Sequence, residues 1–209
     1  MSISQLLKRI KDQGCNILVT GAVPSTVSAY ASRQLLGHPA CHRERIVCLI
    51  GDRGQENWVA PRAPDRYTQT VVADSPSEFY QETLDRTVAN EVQQAAKEIT
   101  QSNGVESSDV RLCFYSLNPF VAEWGTQSTM EALAEVLNQV RSVSGMGYFH
   151  LPRPPNSSGV NKVKQEFDIE IELREHLEKD PAPEWRWHIP NYGTTNWLQI
   201  THWNNEYDT

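Results

Sequence analysis

Apolar positions change their spacing along this chain, and each change of period marks a new element. Near-continuous apolar runs at residues 16–20, 45–50, 110–117 and 146–151 predict short strands buried on both faces. Helical spacing fills much of the sequence between them. Residues 2–12 place Ile3, Leu6, Leu7 and Ile10 on one side, with Ser2 and Gln5 arranged as a capping box. Residues 25–36 place Val27, Tyr30, Ala31 and Leu35 on one face, and Gly37 supplies a stop. Ser75-Pro76-Ser77-Glu78 announces a helix with Phe79, Thr83, Val88, Val92 and Ile99 inward, ending near Asn103-Gly104. Ser128 and Glu131 open another, with Met130, Leu133, Leu137 and Val140 inward and Gly145 at its end.

Two weaker patterns complete the reading. Val71 and Val72 suggest a short strand after a loop at 51–68 that is rich in Gly, Pro, Asp and Arg. Residues 167–173 and 185–189 alternate apolar and polar positions, so they predict half-buried strands joined as a hairpin across Asp180-Pro181-Ala182-Pro183. Buried strands separated by amphipathic helices imply an α/β fold in three layers. Its sheet is mainly parallel with helices on both faces, and an antiparallel hairpin forms the C-terminal edge. The whole chain, 1–209, reads as a single domain.

Composition narrows the function classes. The 209 residues are 39% hydrophobic and 22% charged, as in a globular protein. No apolar run is long enough to cross a bilayer and no leader pattern opens the sequence, so a cytoplasmic location is expected. A net charge of -7 argues against a nucleic-acid partner. Cys15, Cys48 and Cys113 sit at or inside strand-like runs and read as small buried hydrophobes, while Cys41 reads as a surface thiol. His38, Cys41, His42 and Cys48 match no zinc spacing, so no metal is assigned.

The junction after the first strand carries the most specific signal. Gly21-Ala22-Val23-Pro24-Ser25-Thr26-Val27-Ser28 stands where a phosphate-binding loop reads G-x-x-x-x-G-K-[ST]. Gly21 and Ser28 match that pattern. Thr26 replaces the second glycine, and Val27 replaces the lysine that would meet the phosphates. The order of elements resembles the RecA/KaiC-type P-loop ATPase core. That resemblance implies an acidic residue after the second strand, at Asp52. It also implies a magnesium-holding Asp at the end of the third apolar strand, where this chain reads Leu112-Cys113-Phe114-Tyr115-Ser116-Leu117. Tyr115 occupies the Asp position. Phe167-Asp168-Ile169-Glu170-Ile171-Glu172-Leu173 matches the family's Asp-opened edge strand.

Several phrases are also similar to uncharacterised haloarchaeal proteins labelled HTR-like. These are Gly14-Cys15-Asn16-Ile17-Leu18-Val19-Thr20-Gly21, Ala31-Ser32-Arg33, residues 145–152, and Trp185-Arg186-Trp187-His188-Ile189-Pro190. An acidic surface with six Lys among 19 cationic side chains fits that likeness.

With the lysine and the Asp both missing, Gly21, Ser25, Thr26, Val27, Ser28, Asp52 and Tyr115 read as a vestigial nucleotide site. No catalytic residue and no cofactor are assigned, and nucleotide binding is disfavoured. The expected function is a non-catalytic regulatory or protein-interaction module, with a protein partner or further copies of itself, and a signal-transduction role implied by the family label. The alternative is an atypical nucleotide switch or slow ATPase that borrows Lys162 or Lys164. Glu166, Asp168, Glu170 and Glu172 read as a solvated edge face. Trp197 and Trp203, large apolar side chains in a short polar tail, are candidates for partner binding.

Overall fold

A computed structural model describes residues 10, 12–38, 41, 43–51, 68–81, 88–101, 109–175 and 183–200. In chain order its strands are β1 (Cys15–Thr20), β2 (Glu44–Ile50), β3 (Thr68–Ala73), β4 (Val110–Tyr115) and β5 (Met146–His150). They continue with β6 (Ile169–Arg174), β7 (Glu184–Ile189), β8 (Gly193–Thr194) and β9 (Leu198–Gln199). The helices are α1 (Ser25–Leu36), α2 (Pro76–Gln81), α3 (Val88–Gln101), α4 (Asn118–Ser142) and α5 (Ser158–Val163).

The apolar runs become the centre of the sheet because only a strand covered on both faces can bury every side chain. The sheet order is β3-β2-β4-β5-β1-β6-β7-β8, with β9 also paired to β7. The pairings from β3 through β6 are parallel, whereas β7 runs antiparallel to β6 and to β8 and β9. Alternate residues then serve opposite faces. On one side Ile17, Val19 and Tyr148 meet Ala31 and Leu35 of α1, while Val47, Cys113 and Tyr115 meet Ala29 and Leu36. On the other, Leu18, Ile46, Phe114 and Phe149 meet Val92 of α3, Leu133 and Leu137 of α4, and Val160 of α5. The result is the expected three-layer α/β arrangement, with the antiparallel strands at the C-terminal edge. Phe114 stacks on Phe149 at 5.9 Å and meets Phe120 edge-on at 5.4 Å. Each such buried ring contributes about 1.5–3 kcal/mol by leaving water.

Several boundaries differ from the sequence expectation. The helix expected to open at Ser128 begins ten residues earlier, at Asn118, and is broken inside by Gly125 (φ 76°, ψ 171°). Ser128 and Glu131 therefore lie within α4 and do not cap it. At its end the left-handed residue is Ser144 (φ 51°), not Gly145. Ser144 N–H donates to the Arg141 carbonyl and Gly145 N–H to that of Val140, the two bonds of a Schellman stop. At α2, Ser75 Oγ accepts from Glu78 N–H as expected, but the Glu78 carboxylate reaches back to Asp74 N–H. The acidic strand also differs. β6 lies between β1 and β7, so it is not an edge, and its carboxylates are partnered. Glu170 accepts from Thr20 Oγ1 at 2.9 Å, and Glu172 pairs with Arg186 at 2.6 Å. Asp168 accepts the Asn16 amide and pairs with Arg141, tying the start of β6 to β1 and α4.

The capping box at Ser2 and Gln5, the turn at 180–182 and the helix end at Asn103-Gly104 lie outside the described residues, as does most of the loop at 51–68. Among the described residues, no helix is long and apolar enough to cross a membrane.

Candidate functional site

A parallel sheet directs the carboxyl ends of its strands, and the N-termini of the helices that follow them, to one rim. Here β1, β2, β4 and β5 deliver four loops to that rim, and a cleft of about 510 Å³ lies between them. Its apolar wall is Val23, Ile50, Pro119, Ala122 and Pro152. Its polar part is Ser25, Ser28, Tyr115, Ser116 and Asn118. None of these described lining residues carries a charge at neutral pH.

The loop that enters α1 explains much of this geometry. Gly21 has φ 126° and lies so close to β6 that a Cβ there would sit 2.3 Å from the Leu173 carbonyl oxygen. Its N–H is held by the Arg153 carbonyl at 2.9 Å. The glycine matching the first P-loop position is thus required by packing against β6, whatever the loop binds. Pro24 occupies the N-cap and offers no side-chain cap, while Val27 and Ser28 N–H groups both close on its carbonyl. Thr26, at the second glycine position, is exposed; Val27, at the lysine position, is 8% exposed and is not part of the cleft wall. Ser28 is 2% exposed and does line the cleft.

Tyr115 ends β4 beneath the same loop. Its hydroxyl donates to the Ser25 carbonyl at 2.8 Å, and its ring centre lies 5.5 Å from that of His150. Burial pushes the Tyr115 phenol up to about 12 and the neighbouring Cys113 thiol also to about 12, so both stay protonated. Desolvation drives His150 the other way, down to about 3, so its imidazole is neutral. His150 Nε2 lies 2.8 Å from Ser32 Oγ, which itself donates to the Ser28 carbonyl. Tyr115, Cys113, Ser32 and His150 are thus uncharged beneath the cleft, with the Arg33 guanidinium in electrostatic reach of Tyr115. Ser32 and His150 are 0% and 1% exposed, which leaves the pair packed away from any substrate.

Of the residues singled out in the sequence, Ser25, Ser28 and Tyr115 meet in this cleft. Gly21 packs against β6 and Val27 is buried outside the lining, while Asp52 lies outside the described residues. Lys164 lines a separate groove with Phe167, His188 and Thr194, and neither it nor Lys162 lines the cleft. Trp197 lies against two guanidinium groups, 4.0 Å from Arg174 and 4.6 Å from Arg186, and Trp203 is outside the described residues. Those arginines also pair with Glu184 and Glu172, so the indole is part of a charged ladder over the C-terminal strands.

Sequence reasoning missed Ser116, Asn118, Pro119 and Ala122. Asn118-Pro119 is itself a helix-start signature, with Pro in the first turn, and would have placed the start of α4 at the cleft. Arg153 Nε donates to Asn118 Oδ1 at 2.8 Å and so fixes the amide orientation. Among the described residues, no group of three or more His, Cys, Asp or Glu side chains is gathered to hold a metal, and none of the four cysteines forms a disulfide.

A family described as "Family of unknown function (DUF7504)" matches residues 14–173. The chain belongs to that family. The matched span runs from the turn before β1 to the end of β6, and so includes every wall of the cleft. Among solved structures, the chain is similar to the KaiC-like protein PH0186 from the hyperthermophilic archaeon Pyrococcus horikoshii OT3. The TM-score is 0.51 and the identity 11%, over 91% of this chain and 83% of that one. This likeness establishes a KaiC-like fold. No curated protein matches the chain.

Proposed function

We propose that this DUF7504 member is a non-catalytic regulatory or protein-interaction module built on a KaiC-like P-loop fold. The observation that carries the reading is that none of the described residues lining the cleft at the carboxyl ends of the strands carries a charge. Phosphoryl transfer depends on a lysine and a metal-holding carboxylate to balance the charge of magnesium-bound nucleotide. At the two corresponding positions stand buried Val27 and buried Tyr115, the latter bonded to the loop itself. Such a degenerate site acts by occupancy: it fills a subunit position or presents a surface without turnover.

The partner in this reading is a protein, either further copies of the chain or an active ATPase of the same fold. The likeness to haloarchaeal HTR-like proteins favours a cytoplasmic setting in signal transduction. Single-turnover phosphate release, with protein in excess over magnesium-ATP, tests the claim. The expected result is no release above the protein-free rate. Release that Ser28→Ala abolishes would refute it.

A further inference from the structure

The two edges of the sheet are protected unequally. At the C-terminal edge the outermost strands, β8 and β9, have two residues each, which leaves little unpaired backbone for another chain to add to. The other edge is β3. Its six residues pair with β2 in a continuous, bulge-free register and, among the described residues, with no strand on the far side.

One bond fixes which backbone groups of β3 face outward. Gly51 N–H donates to the Ala73 carbonyl at 2.8 Å, so Ala73 turns its peptide groups toward β2. Successive residues of a strand turn their N–H and C=O to opposite edges. Val71 therefore also faces β2, whereas Thr70 and Val72 face outward. Among the described residues, no hydrogen bond reaches those outward groups. The Thr70 and Val72 side chains are exposed as well, Val72 at 43%, while Val71 and Ala73 pack into the core beneath α3 and α4.

The composition of β3 does nothing to discourage pairing. Thr68-Gln69-Thr70-Val71-Val72-Ala73 has no charge and no proline, and it is rich in β-branched residues. Edges that are kept apart carry lysine, proline or a bulge. Only another strand matches the spacing of donors and acceptors along such an edge. Antiparallel pairing of a strand with itself sets each residue against one from the same segment, so a charged segment would meet its own charges. β3 is free of that penalty.

We propose that β3 is a homodimer interface, at which a second copy of this chain adds its own β3 antiparallel across a two-fold axis. The register that uses all the outward groups of Thr70 and Val72 sets Thr70 of one protomer against Val72 of its partner, with Val71 on the axis. Each exposed Val72 is then covered by a β-branched neighbour. The proposal rests on the reading of the chain as an interaction module, and it names the surface and the partner.

Sedimentation velocity of the intact chain, from about 5 to about 200 µM, is the test. The expected result is a concentration-dependent dimer with a Kd below about 100 µM. Thr70→Pro deletes an outward N–H without costing a bond to β2, and Val72→Lys puts a charge on the pairing face. Each should weaken the dimer by about tenfold or more, with the near-UV circular dichroism unchanged. The double variant Thr70→Glu/Val72→Lys should recover most of that loss, because the new carboxylate of one protomer then faces the new ammonium of its partner. A monomer throughout the range, a dimer that survives both single variants, or no recovery in the double variant would each overturn the proposal. All three outcomes leave the non-catalytic reading in place, since phosphate release from magnesium-ATP is what decides that reading.

Discussion

The hydroxyl of Tyr115 donates to the main-chain carbonyl of Ser25 at 2.8 Å, so the end of β4 is fastened to the loop that enters α1. In a nucleotide-hydrolysing P-loop protein these two places cooperate through a metal ion. Here they are joined directly by a neutral hydrogen bond between groups of the chain.

Tyr115→Phe removes that bond and leaves the ring packing in place. A buried neutral hydrogen bond contributes about 1 kcal/mol net, and the Ser25 carbonyl can recover part of it from water at the cleft. Urea unfolding should show a loss of about 1 kcal/mol. Amide exchange should quicken first in residues 21–28.

Gly21→Ala tests the claim that this glycine is kept for packing. The added Cβ meets the Leu173 carbonyl at 2.3 Å with φ at 126°, so β1 and β6 must separate. The expected cost is about 2 kcal/mol or more. A neutral effect in thermal unfolding would show that the loop has room and that its glycine has another reason.

The buried His150 gives stability a pH dependence with a definite sign. Its folded pKa is about 3, against an ordinary value of 6.5. Above pH 6.5 neither state is protonated and the full stability is present. As pH falls from about 6.5 toward 3, the unfolded chain takes up a proton that the folded chain refuses, so stability drops by up to about 1.4 kcal/mol per pH unit. Urea midpoints between pH 7.5 and 5, above the carboxylate range, should follow this slope, and His150→Gln should flatten it.

Trp197→Ala should loosen the C-terminal strands. Two cation–π contacts at partly exposed sites contribute about 1–2 kcal/mol together, and Arg174 and Arg186 keep their carboxylate partners after the change. Hydrogen exchange should rise in β7 and remain unchanged in β1 and β5. If partner binding is lost with no change in exchange, the indole serves an interface and not the ladder.

The central strands were legible in the sequence because burial on both faces leaves continuous apolar runs, and these runs are too short for a helix and end sharply at polar or turn residues. β1 and β2 were placed within a residue of their observed bounds, and α1 at its bounds. α4 was misplaced because Gly125 interrupts the helical period, so the regular pattern starts only after the break. β6 was given an exposed face because its carboxylates alternate. Their partners, Thr20, Arg186 and Arg141, come from elements distant in sequence, and such pairings have no local signal. Likewise the motif at 21–28 located half of the cleft, while Asn118 and Ala122 joined it through tertiary folding.

Thermal unfolding of the purified chain with and without magnesium-ATP, magnesium-ADP and GTP tests the central claim most directly, because a ligand that binds the native state raises the melting temperature with its occupancy. With Val27 and Tyr115 buried at the two charge-bearing positions, no shift is expected at millimolar nucleotide. A clear rise that requires magnesium and disappears in Ser28→Ala would contradict the account and establish an unconventional nucleotide site.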